Sequence, residues 1–129
     1  MRLYTKILAA AAIAIALAGC GGAFTARFDN QEYMTYVAMF ERVVKLDGSC
    51  GDATREREHH EALRQLSNTA VTYAGHRPDE VSKTFASTTA SLILRFKAGG
   101  SVVYCKETAA NMKDATSTIL YALGARSHN

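Results

Sequence analysis

Val102, Cys105, Ala109, Met112, Thr116, Ile119 and Leu123 stand at alternating steps of three and four. Seven positions in that rhythm fall on one face of an α-helix, whose period is 3.6, and on both faces of a strand, whose period is 2. A long helix with one apolar stripe must bury it against other elements, because isolated helices are marginal in water. The stripe therefore demands partners of the same kind.

Three more helices are expected upstream. Asp29 can cap the first, with Glu32 three residues on as the second half of a capping box. Tyr33, Val37, Phe40 and Val44 then share a face, and Gly48 ends the run. Asp52 or Thr54 can start the second, in which Leu63, Leu66, Ala70 and Tyr73 repeat at helical spacing before Gly75. Pro78-Asp79-Glu80 suits a first turn, where a missing N–H costs nothing and acids face the positive helix end. The third stripe is Val81, Phe85, Thr88, Leu92 and Phe96. Gly99-Gly100 breaks the chain, Ser101 caps the fourth helix and Gly124 closes it. One rival reading stands beside this. Leu92, Leu94 and Phe96 alternate with Ile93, Arg95 and Lys97, and β-branched residues follow the glycine pair, so a β-hairpin over 91–105 is an alternative in an α+β fold. The helical stripes continue outside that window on both sides, which favours an all-α, four-helix up-down bundle.

In that topology the end of the first helix and the start of the fourth share a pole. Cys50 lies in the loop after the first and Cys105 in the opening turns of the fourth. A disulfide between them is expected in an oxidising compartment. Two buried thiols or a redox pair are the alternatives, although no C-x-x-C is present.

The third cysteine, Cys20, belongs to a different kind of segment. Arg2 and Lys6 precede an unbroken apolar run over residues 7–17. This is the layout of a secretory signal, and it falls short of the roughly 20 apolar residues a membrane span needs. Leu17-Ala18-Gly19-Cys20 resembles the lipobox of bacterial lipoprotein precursors. The resemblance implies cleavage before Cys20, a thioether-linked diacylglycerol on its sulfur and a further acyl chain, such as palmitate, on its amine. It also implies lodging in the outer membrane facing the periplasm, since Gly21 rather than Asp follows the cysteine. Residues 1–19 are then the signal peptide, 20–28 a lipidated tether and 29–129 the helical domain. Composition changes accordingly. The chain is 48% hydrophobic with a net charge of +3, but the signal carries two of those charges and much of the apolar content. What remains is a nearly neutral domain of about 110 residues, enough for one core.

Little in the domain signals chemistry. Glu58-His59-His60-Glu61 invites a metal reading, but adjacent residues on a helix point about 100° apart, and H-E-x-x-H is absent. His59 is expected to pack at the edge of the apolar face. Gly99-Gly100-Ser101 lacks the lysine of a phosphate loop and the G-x-S-x-G of a nucleophile elbow, so helix punctuation is the expectation. Arg55, Arg57 and Arg64 alternate with Glu56, Glu58 and Glu61, the pattern of a solvated helix face. With so small a net charge no nucleic acid is expected as partner, and neither catalysis nor a cofactor is expected. Ile119-Leu120-Tyr121 widens the last stripe, through a thicker core or a partner groove.

Two resemblances suggest a role. The helical lipoprotein with Cys50 and Cys105 joining the first loop to the last helix resembles the pilotins of type II secretion, which escort secretin subunits to the outer membrane by gripping a short helix. Phe28-Asp29-x-x-Glu32-Tyr33 and Tyr104-Cys105 are similar to segments of small phage- and prophage-encoded lipoproteins, some of which block superinfection or assist lysis. Both imply a non-enzymatic module that binds an envelope protein. The exclusion or lysis-related reading is placed first, the pilotin-like chaperone second.

Overall fold

The computed structural model describes residues 27–128, in which four α-helices form and no strand is present. They are α1 (Asn30–Gly48), α2 (Ala53–Gly75), α3 (Glu80–Arg95) and α4 (Val102–Gly124). Each starts where a side-chain oxygen takes up a free first-turn amide. Asp29 accepts from Glu32 N–H, Asp52 from Arg55 N–H, Asp79 from Val81 and Ser82 N–H, and Ser101 from Tyr104 N–H. Two local expectations change. Pro78 lies ahead of α3 rather than in its first turn, because the Asp79 carboxylate captures two amides and sets the start at Glu80. Glu32 does not complete a capping box; its carboxylate turns inward to arginines. Gly48, Gly75 and Gly124 are the last residues of their helices. Among the described residues the left-handed φ is adopted by Gly51 (102°) and Gly99 (85°), both in loops.

The helices form a ring: α1 packs on α2 and α4, α2 also on α3, and α3 on α4. Short connections force neighbours to run antiparallel, so one pole gathers the α1–α2 and α3–α4 loops. The other gathers the start of α1, the α2–α3 loop and the end of α4. The hairpin alternative is overturned. Residues 91–95 close α3 and 102–105 open α4. Leu92, Ile93 and Phe96 are buried while Leu94 is 66% exposed, a spacing of one and four that belongs to a helix turn.

The α4 stripe is buried from Cys105 to Leu123, and Val102 alone falls outside it. In α3 the buried threonine is Thr89, whose hydroxyl donates to Phe85 O at 2.8 Å, while Thr88 sits at the edge. The α1 face is corrected more substantially. Tyr36, Met39, Val43 and Leu46 are buried, while Tyr33, Val37 and Phe40 flank them and Val44 is exposed. Both lines are apolar at helical spacing, so hydropathy alone fits either. The buried line also begins with Glu32, a charge that disguises it. Fully buried side chains such as Phe85 and Met39 each contribute roughly 1.5–3 kcal/mol.

Candidate functional site

Cys50 and Cys105 are joined, with sulfurs at 2.03 Å and Cα atoms 5.6 Å apart, so the expected pairing is present. Beside the bridge stands Glu56, buried in the first turn of α2. Its Oε2 accepts from Gly51 N–H at 3.0 Å and its Oε1 from Gly99 N–H at 3.3 Å. One carboxylate thereby ties both loops of this pole together with charge-assisted bonds. Glu56 was expected on a solvated face, and the structure moves it inside. Tyr104 finishes α3: its hydroxyl donates to Arg95 O and accepts from Lys97 N–H, both at 3.1 Å. Its ring closes over Gly100, where an added Cβ would come within 2.9 Å. The Gly99-Gly100-Ser101 segment therefore serves as helix punctuation, with Ser101 as the α4 cap.

The two adjacent histidines part company. His60 Nε2 donates to Ile93 O at 2.8 Å, and the ring meets Phe96 edge-on at 5.0 Å. His59 Nδ1 accepts from Arg42 Nη1 at 3.3 Å. Burial, then the Arg42 charge, hold His59 below its ordinary value of 6.5. Among the described residues no group of three or more His, Cys, Asp or Glu side chains could hold a metal ion.

The opposite pole contains what sequence reasoning missed. Arg126, beyond the end of α4, is 1% exposed. Its Nη1 lies 3.1 Å from Glu32 Oε1 and its Nη2 2.9 Å from Asp79 Oδ2. Arg77 Nη1 reaches the same Glu32 oxygen at 3.0 Å and Asp29 Oδ2 at 3.6 Å. The Tyr73 hydroxyl donates to Asp29 Oδ2. Burial raises the Asp29 carboxyl, but Tyr73, the Glu32 amide and Arg77 outweigh it, so it titrates below its usual 3.8. Three acids and two arginines thus join the start of α1, both ends of the α2–α3 loop and the tail after α4. Above them burial, together with the Glu32 charge, pushes the Tyr36 phenol well above its ordinary range. The two halves of the chain also meet directly here. Phe28 N–H donates to Ser127 O at 2.7 Å, and the Phe28 ring stacks on His128 at 4.2 Å.

Two grooves mark the flanks, each of about 390 Å³. The one between α1 and α2 is polar, with Glu41, Arg42, Lys45 and Gln65 along it. The one between α2 and α3 is apolar, floored by Ala74, Ala86 and Ala90 and rimmed by the exposed Val71 and Leu94. Ile119 belongs to the core and Leu120 to its edge, while Tyr121 is 81% exposed. Cys20 and its lipobox, the signal peptide and most of the tether lie outside the described residues. No described helix is long and apolar enough to cross a membrane. Comparison of the chain with protein families, with characterised proteins and with solved structures finds no match.

Proposed function

We propose that this chain is a lipid-anchored envelope lipoprotein, held through acylated Cys20, whose helical domain acts without catalysis by binding another envelope protein. The observation that carries the reading is Leu17-Ala18-Gly19-Cys20 at the end of an apolar run with a basic start. Two acyl chains suffice for stable anchoring, whereas one binds marginally. A Cys50–Cys105 disulfide suits the oxidising compartment such a protein would face. An outer-membrane location facing the periplasm follows from Gly21, and the exclusion or lysis-assisting role of small phage and prophage lipoproteins is the first assignment. The apolar α2–α3 groove favours a second reading, a pilotin-like chaperone that grips a helix of a secretin.

Cys20→Ala should release the protein from membranes into the soluble fraction. Continued sedimentation with membranes after a salt wash would overturn the anchor. A salt-resistant pull-down with the lipidated protein separates the roles: a secretin peptide, bound saturably and lost with Leu94→Asp, selects the chaperone, and an injection or receptor protein selects the first assignment.

A further inference from the structure

We propose that the pole where the chain enters α1 and leaves α4 is a membrane-contacting face, occupied by the lipid headgroup layer and carried by Tyr121 and the ring cluster of Phe28, Tyr33 and His128. The inference rests on the lipid anchor at Cys20. Reach supplies the first argument. The chain is fastened at Phe28 by the Ser127 carbonyl and the His128 ring, so only the residues from Cys20 to Arg27 remain as tether. Fully extended, these eight residues span at most about 29 Å. Seating the far pole on the bilayer would require the tether to pass the whole of α4, whose 23 residues extend about 34 Å. An end-on seat on the exposed Val102 and Val103 at that far pole is therefore out of the tether's reach.

The outward chemistry at the near pole supplies the second. Asp29, Glu32 and Asp79 pair with Arg77 and Arg126, so charge there is largely met internally. Among the exposed Arg27, Asn30, Gln31, His76 and Glu80, this pole also presents a group of rings, with Phe28 and Tyr33 half-buried and His128 and Tyr121 exposed. Phe28 and Tyr33 stand 5.4 Å apart, His128 covers Phe28, and Tyr121 is the most exposed large hydrophobic side chain among the described residues. Rings with an apolar body and a polar tip settle at the level of lipid headgroups. Attachment through rings rather than through net charge makes the contact insensitive to salt.

The chain contains no tryptophan, so one introduced reporter is unambiguous. Full-length lipidated Tyr121→Trp and Val103→Trp proteins would be reconstituted on phosphatidylethanolamine–phosphatidylglycerol vesicles carrying a lipid with a shallow nitroxide, then checked by flotation. The expected result is loss of emission from the Tyr121→Trp protein, unchanged by high salt, with the Val103→Trp protein unaffected. Flotation with no loss for Tyr121→Trp, or with equal loss for both, overturns the contact face and leaves the anchor standing. Failure of lipidated protein to float overturns the anchor and the face together.

Discussion

Arg126 Nη1 lies 3.1 Å from Glu32 Oε1, across 94 positions of sequence, with both side chains shut off from solvent. The pair closes the bundle where its first helix starts and its last has ended. Each partner would be costly alone, and Asp79 and Arg77 complete the set. Replacing Arg126 with Met should strand the Glu32 and Asp79 carboxylates inside the fold. The expected loss is about 3–5 kcal/mol, read as a lower urea midpoint with an unchanged slope. Lys83→Ala, at an exposed pair with Glu80, should stay within about 0.5 kcal/mol.

The Cys50–Cys105 bridge closes a separation of 55 residues. In the chain-entropy model, opening it costs about 4 kcal/mol. A Cys50→Ser/Cys105→Ser protein should show that loss in denaturant titration. Mass spectrometry of the wild-type protein after alkylation without reductant should find neither cysteine labelled.

Glu56→Ala removes the common acceptor of the Gly51 and Gly99 amides. Two charge-assisted bonds vanish, and a loss of roughly 3 kcal/mol is expected. Hydrogen exchange gives the sharper reading: protection should fall at Gly51 and Gly99 together, although they belong to different loops. Loss at one alone would contradict the shared clamp.

Stability should fall with acid in two stages. Burial first, then Arg42, depress His59 below 6.5. Its contribution is therefore complete above pH 6.5 and lost as pH falls below that value, because the unfolded chain takes the proton first. Asp29 is depressed below 3.8 by Tyr73, the Glu32 amide and Arg77 against the cost of burial, so its contribution is present above pH 3.8 and lost beneath it. His59→Gln should flatten the first stage and Tyr73→Phe the second. The check is the urea midpoint followed against pH, with the His59 imidazole titration followed by NMR.

Much of the bundle was legible in the chain because its signals are local. The carboxylates and hydroxyl that cap the helices act within three residues of themselves, so Asp29, Asp52 and Ser101 could be read in place. The pairing of Cys50 with Cys105 followed from counting helices and asking which ends meet. The hairpin alternative arose because Leu92 to Lys97 alternates over a window too short to distinguish periods of 2 and 3.6. Its resolution needed the whole of α3 and the exposure of Leu94.

By itself the sequence determined four helical stretches, most of their caps and stops, and which cysteines could join, since propensity, capping and spacing act along the chain. The start of α3 and the choice of helix over hairpin at 91–105 came from the fold. Only the tertiary structure decided which of two apolar lines on α1 turned inward, because that depends on where α2 and α4 lie. It alone showed that Glu32, Glu56 and Arg126 are interior. A charge reads as a surface residue until a countercharge or a backbone amide arrives from a distant part of the chain, as Glu32 and Arg126 do for each other and as Gly51 and Gly99 do for Glu56.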